Sequence, residues 1–324
     1  MKLYGITIGD ASGIGPEILL KCVRDGALRH PVIAYGDWEA LMYYNDLLHY
    51  GVALRKIAGA AGYQPGPLNV VDSGILQAGE VKPGTLDRKS GHAAREYVIA
   101  ATRAALAGQI AAMVTLPMNK EATQLSDPTF VGHTELIGNL CGVKDVTIML
   151  ASDQLIVTHV TTHVSLKTAI ARAKKERICT ILRLTSDAVG RLIPNPRIAV
   201  AGLNPHAGEN GLFGDEEIAE IRPAVEWAQN QGMPVEGPFP PDTVFYMAVR
   251  KKKFDAIVCM YHDQGHVPLK LLDFEGGVNV ALGLPIIRTS VDHGTAFDIA
   301  GQGLASGVSL VRALEFAVRL ANPG

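Results

Sequence analysis

The 324-residue sequence predicts an α/β fold, and three observations carry that prediction. Short apolar runs rich in β-branched residues alternate along the whole chain with longer segments rich in Ala, Leu, Glu and Arg, the pattern of strands joined by crossover helices. Polar and glycine-rich clusters fall at the ends of the predicted strands, where ligands bind in such folds. The length exceeds what one hydrophobic core usually serves, so two domains are expected.

Residues 4–8 read as the first strand and 16–23 as a helix opened by Pro16 in its first turn. Residues 91–106 carry apolar positions at helical spacing, and 111–115 follow as a buried strand. Further strands are predicted at 145–150, 155–162, 197–202 and 256–261, and helices at 166–184, 215–229 and 308–320. The basic run Arg250, Lys251, Lys252, Lys253 follows an apolar stretch and precedes a strand, which makes it a solvated helix end. No repeat, low-complexity tract or Ser/Gly linker interrupts the chain, so any domain boundary crosses ordinary loops and the domains can interleave in sequence.

Thirty Lys and Arg against 32 Asp and Glu leave a formal charge of −2, which gives no basic face for nucleic acid. Hydrophobic residues make up 48%, but in runs well short of the ~20 residues that span a bilayer. A lone Lys2 before a short apolar segment is not a signal peptide, so a cytoplasmic location is expected. Cys22, Cys141, Cys179 and Cys259 form no Cys-x-x-Cys and read as four buried, reduced thiols.

The first polar cluster, Gly9-Asp10-Ala11-Ser12-Gly13-Ile14-Gly15-Pro16-Glu17, sits between a strand and a helix. It has the glycine spacing of neither the dinucleotide fingerprint nor the P-loop, so a tight structural turn and a binding loop stay open. His163, His206 and His262 each lie near the end of a predicted strand. One histidine so placed is more often a hydrogen-bonded core residue, but three at separate strand ends suit a divalent metal with a position left for substrate. His159, which shares a strand face with His163, and His266 and His293 are not excluded as ligands by sequence. Anion recognition is suggested by Gly132-His133-Thr134, Lys270, Asn279 and Arg288. Arg288 ends the apolar run 282–287, where an unpaired guanidinium is costly.

These residues carry a resemblance that runs almost end to end. Gly132-His133-Thr134-Glu135, Thr161-Thr162-His163, Gly202-Leu203-Asn204-Pro205-His206-Ala207-Gly208-Glu209, Tyr261-His262-Asp263-Gln264-Gly265 and Arg288-Thr289-Ser290-Val291-Asp292-His293-Gly294-Thr295-Ala296 closely resemble the 4-hydroxythreonine-4-phosphate dehydrogenases of pyridoxal phosphate biosynthesis. The resemblance implies that His163, His206 and His262 bind a divalent metal (zinc, manganese, cobalt, nickel or magnesium) in a site shared by the two subunits of a homodimer. It implies that His133, Thr134, Lys270, Asn279 and Arg288 hold a small phosphorylated hydroxy acid. It also implies two α/β domains flanking a cleft, similar to isocitrate and isopropylmalate dehydrogenases: residues 1–125 with 290–324 on the cofactor side, and 126–289 with the metal site and dimer interface.

His293-Gly294-Thr295-Ala296-Phe297-Asp298-Ile299-Ala300-Gly301 is similar to the loop that holds the adenosine of NAD in isopropylmalate dehydrogenase. Asp298 would accept from a ribose 2′-hydroxyl and repel a 2′-phosphate, favouring NAD over NADP. Asp242 and Asp263 are candidates for proton transfer or ligand orientation, with Lys120 behind them; a structural salt bridge is the alternative for all three. His266 stands where the vitamin-pathway enzymes carry an apolar residue, which turns the expected substrate towards D-threonate or D-erythronate 4-phosphate, converted to dihydroxyacetone phosphate and CO2. 4-Hydroxy-L-threonine 4-phosphate is the near alternative, and a branch acting on aromatic cis-dihydrodiols is discounted because Gly132-His133-Thr134 and Arg288 are kept. A metal-dependent hydrolase, with metal-bound water as nucleophile, is the reading from another class.

Overall fold

A computed structural model describes residues 1–274 and 276–323. The chain runs β1 (Tyr4–Thr7), α1 (Gly15–Arg24), β2 (Val32–Gly36), α2 (Trp38–Leu47), β3 (Leu54–Ile57), β4 (Leu68–Asp72), α3 (Arg88–Leu106), β5 (Ala112–Thr115), α4 (Lys120–Gln124) and α5 (His133–Cys141). It continues through β6 (Thr147–Ala151), β7 (Ile156–His159), α6 (Leu166–Arg172), α7 (Lys175–Gly190), β8 (Ile198–Ala201), α8 (Arg222–Asn230), β9 (Val235–Phe239), α9 (Pro241–Val249), β10 (Ala256–Cys259), α10 (His262–Leu272) and β11 (Val278–Leu282). It closes with β12 (Arg288–Val291) and α11 (Val308–Ala321). None of the described helices is long and apolar enough to cross a membrane.

Two compact units result, Met1–Lys144 with Leu284–Ala321, and Asp145–Gly283. The crossings therefore lie at 144/145 and 283/284, where the sequence reading set 125/126 and 289/290. α4 and α5 pack against α3, which draws His133 and Thr134 into the first unit, and β12 pairs with β5, which brings Arg288 there too.

In the first unit six strands, ordered β3-β4-β2-β1-β5-β12, are all parallel. The order reverses between β1 and β5, the arrangement that opens a ligand crevice beyond the carboxyl ends of the strands. In the second unit the order is β11-β6-β7-β10-β8-β9; β6 pairs antiparallel with both β11 and β7, and the rest are parallel. Strand residues alternate between two cores. Ile198, Val200 and Val258 pack on one face with Ile178, Ile181 and Val225, while Ala199, Ile257 and Cys259 pack on the other with Val244 and Leu269. A sheet covered on both faces explains why these strands read as continuous apolar runs.

Several elements differ from their sequence prediction for local reasons. α3 begins at Arg88 because the Asp87 carboxylate caps it, accepting from the amides of Lys89 (2.8 Å) and Ser90 (2.9 Å). The single helix expected over 166–184 is two: Ser165 caps α6, and the Glu220 carboxylate accepts from the amide and ammonium at Lys175 and Lys174 (both 2.8 Å), starting α7 afresh. The helix expected over 215–229 opens as a π turn, Glu217–Ile221, just ahead of Pro223, which has no N–H to close a regular turn. Residues 250–253 follow α9 and are exposed, with Lys253 Nζ 2.9 Å from Glu236 Oε2. Of the four thiols, all free, Cys22 and Cys259 are buried but Cys141 and Cys179 are half-buried, correcting the expectation of four buried ones.

Candidate active site

The first unit contains a cationic cavity of about 140 Å³ lined by Thr115, Met118, His133, Arg288, Ser290 and His293, among others. Arg288 opens β12 and is only 4% exposed; its Nε and Nη2 both donate to the Thr115 hydroxyl, at 3.1 and 2.6 Å. One neutral oxygen does not neutralise a guanidinium, so the buried charge still seeks an anion. Burial pulls Arg288 down to about 10, against the pull of the Glu135 carboxylate. His133 is the first residue of α5 and Thr134 the second, so the unpaired amides of a helix N-terminus stand beside the cavity. Burial and the Arg288 charge push the His133 imidazole down to about 3, keeping it neutral. The Nε2 atoms of His133 and His293 are buried without a hydrogen-bond partner, as expected of a wall built for a polar guest.

The glycine cluster after β1 braces the segment 293–305. Ile14 N donates to Thr295 O (3.0 Å), Gly84 N donates to Ser12 O (2.8 Å), and a Cβ on Gly13 would meet Thr295 O at 2.8 Å. Glu17, fully buried, accepts from Gly301 N (3.0 Å) and Ala305 N (3.1 Å), and Lys21 donates to the carbonyls of Gly303 and Ala305. The cluster is thus a tight structural turn that anchors the loop resembling an NAD site. Ala296 takes a left-handed φ of 43°, and the following turn leaves Asp298 exposed. His293 Nε2, buried without a partner, and the exposed Asp298 carboxylate are polar groups of a kind that could meet the hydroxyls of a nucleotide.

In the second unit, His163, His262 and His206 follow the carboxyl ends of β7, β10 and β8, three neighbouring parallel strands. The His163 and His262 rings lie 5.4 Å apart. Asp263 Oδ1 is 2.7 Å from His262 Nδ1, so a proton on Nδ1 leaves Nε2 free as a ligand. His163 and His206 are exposed. Among the described residues no group of three or more His, Cys, Asp or Glu within the chain is placed to hold a metal. The donor set is one that zinc and its neighbours accept.

His266 is buried within α10, stacked on His262 at 3.6 Å, its Nδ1 3.0 Å from the His262 carbonyl and 3.1 Å from His159 Nε2. It supports His262 from behind. His159 is fully buried and pushed down to about 3, first by burial and then by the neighbouring histidines. Asn279, on β11, has a buried, unpaired Oδ1, and the Lys270 ammonium sits 5.5 Å from the Phe274 ring centre. Asp242 in the first turn of α9 and Lys120 at the start of α4 are exposed, and neither lines the cavity.

Glu17 and Gln264 stand within motifs quoted from the sequence but carried no role there of their own, and Thr115 carried none beyond ending a strand. Gln264 accepts from Met260 N (2.6 Å) and donates to Gly202 O (2.7 Å), tying the end of β10 to the end of β8. Glu17 left a signal, being an acid inside an otherwise apolar helix face; Thr115 left none, because its role exists only once β5 and β12 pair.

Two α/β units, one with an arginine-lined cavity and the other with histidines at the ends of neighbouring parallel strands, are those of an enzyme. The family profile "Pyridoxal phosphate biosynthetic protein PdxA" matches residues 27–317. A D-threonate 4-phosphate dehydrogenase of Salmonella typhimurium is 43% identical, with 99% of each chain covered. A 4-hydroxythreonine-4-phosphate dehydrogenase of Beijerinckia indica is 45% identical over 98% of this chain and 95% of its own. The crystal structure of a 4-hydroxythreonine-4-phosphate dehydrogenase from Klebsiella pneumoniae superposes with a TM-score of 0.91 at 44% identity, covering 99% of this chain and 100% of that one. The chain belongs to the PdxA family and is a dehydrogenase.

Proposed function

We propose that this dehydrogenase oxidises and decarboxylates D-threonate 4-phosphate or D-erythronate 4-phosphate, with NAD and a divalent metal, giving dihydroxyacetone phosphate and CO2. The observation that carries the reading is the buried, under-neutralised Arg288 beside neutral His133 at the start of α5, a site for a doubly charged phosphate. The choice of sugar acid is supported by relatives of that name.

In this reading Arg288, His133 and Thr134 grip the phosphate while Lys270 and Asn279 hold the carboxylate. The substrate hydroxyl at C3 loses its proton and the C3 hydrogen leaves as hydride to NAD. The resulting β-keto acid breaks its C1–C2 bond, releasing CO2, and the enediol left behind takes a proton at C2. Asp263 orients His262 and, with Asp242 and Lys120, is a candidate for moving these protons. A divalent ion on His163, His206 and His262 would supply positive charge that favours both ionisation of the hydroxyl and the enolate. His293, Gly294, Thr295, Ala296 and Asp298 would hold the adenosine of NAD, Asp298 on the ribose.

The same reading makes the active form a homodimer that completes the metal site. α10, which carries His262, exposes Val267 (61%) and Leu271 (85%) on one helical face, and Phe274 (73%) follows. A second copy would cover this apolar face.

The test is NADH formation at 340 nm from D-threonate 4-phosphate, D-erythronate 4-phosphate and 4-hydroxy-L-threonine 4-phosphate, with zinc or manganese supplied. Preference for the sugar acids supports the proposal. Preference for the amino acid, the substrate in the name of the Beijerinckia relative, returns the chain to vitamin synthesis. Release of phosphate or CO2 without NAD reduction would favour the hydrolase reading. His206→Ala with unchanged zinc content would remove the metal assignment.

A further inference from the structure

The segment that carries His206 is conformationally unusual. His206, Ala207, Gly208, Glu209 and Asn210 all have positive φ, between 45° and 78°, so five successive residues wind left-handed where only one is a glycine. Such a run is strained for L-residues and persists only where its surroundings hold it.

A buried carboxylate ties down the residues just ahead of this run and lies against its Gly208. Glu217, 1% exposed, accepts through Oε1 from the amides of Leu203 (2.6 Å) and Asn204 (2.8 Å), and through Oε2 from the Asn204 side-chain amide (2.9 Å). The Asn204 amide also donates to Glu216 (2.6 Å). A Cβ on Gly208 would come within 2.7 Å of Glu217 Oε2, and one on Gly202 within 3.1 Å of Oε1, so the carboxylate fills the hollow of the turn from both sides of His206. Glu217 reaches this place from the π turn ahead of Pro223, outside a regular helical register.

We propose that Glu217 is a positioning residue: its carboxylate fixes the left-handed segment 206–210 and thereby the direction in which His206 is offered to a metal. The inference rests on the metal site proposed above, and Glu217 itself is not a ligand.

The test measures zinc affinity of the full-length protein, stripped with a chelator and then titrated against a chromophoric competitor. Wild type, Glu217→Gln, His206→Ala and the double variant are compared, with circular dichroism checking the fold. In Glu217→Gln the new NH2 faces the Asn204 amide donor-to-donor, and affinity is expected to fall about 10- to 100-fold. On the His206→Ala background the same change should move affinity less than about twofold, because Glu217 acts through His206. Wild-type zinc affinity in Glu217→Gln, or an equal loss on both backgrounds, overturns the proposal. If Glu217→Gln does not fold, Asn204→Ala removes one of the three donors; a smaller loss that vanishes without His206 supports the proposal, and no loss overturns it. Failure of the wild type to bind zinc would instead sink the metal site itself.

Discussion

Arg288 places a charge in a buried position. It is buried, charged and met by a single hydroxyl, so an anion stabilises it and its loss is felt in binding. Arg288→Lys keeps the charge but loses the fork. KM for the phosphorylated substrate should rise about 10- to 100-fold, the worth of one or two charge-assisted bonds at roughly 1.5–3 kcal/mol. A KM within twofold of wild type in steady-state assays would show that the phosphate binds elsewhere. His133 predicts a pH effect. Its folded pKa, near 3, lies below the ordinary imidazole value, so the unfolded chain takes up a proton that the folded one does not. The stability this group contributes is complete above about pH 6.5 and is lost as pH falls from there towards 3, by at most about 1.4 kcal/mol per pH unit. His133→Asn should flatten that slope in urea titrations between pH 7.5 and 5, and an unchanged slope would assign the acid sensitivity to other groups.

Among the elements, α1 works as a clamp as well as a crossover. Its Glu17 satisfies two amides of the segment 301–305, next to the loop proposed for NAD. Glu17→Ala leaves both buried or half-buried donors without their acceptor, at about 1–3 kcal/mol each. The melting temperature should drop by several degrees and NAD affinity, read by fluorescence titration, should weaken at least tenfold. Lower stability with unchanged NAD affinity would confine Glu17 to a structural role. The break before residue 175 follows the same logic, since the acid at 220 takes over a backbone amide that one continuous helix would have used internally, while the acid at 217 reaches out of its π turn to the amides of the loop after β8.

For the molecule as a whole the exposed face of α10 sets the expectation. If the metal site is shared between two copies as proposed, Leu271→Glu should give a monomer in size-exclusion chromatography, and zinc content and activity should fall together. An active, zinc-loaded monomer would refute the shared site.

Much of what makes up the candidate site stood out in the sequence. His163, His206 and His262 stood out as histidines at predicted strand ends, and the strands proved to be neighbours in one parallel arrangement. Arg288 stood out because a cation closing an apolar run must find a partner, yet its partner Thr115 is 173 residues away and meets it only through the pairing of β12 with β5. Periodicity and residue type are local properties, so the sequence by itself determined the α/β alternation, the strand-end chemistry and the residues with unusual burdens. What only the tertiary structure decided were long-range pairings: the unit that owns His133 and Arg288, the stacking of His266 on His262, and the buried acids Glu17 and Glu217. A carboxylate's role depends on which distant amides reach it, and that is fixed by packing rather than by any neighbour in the chain.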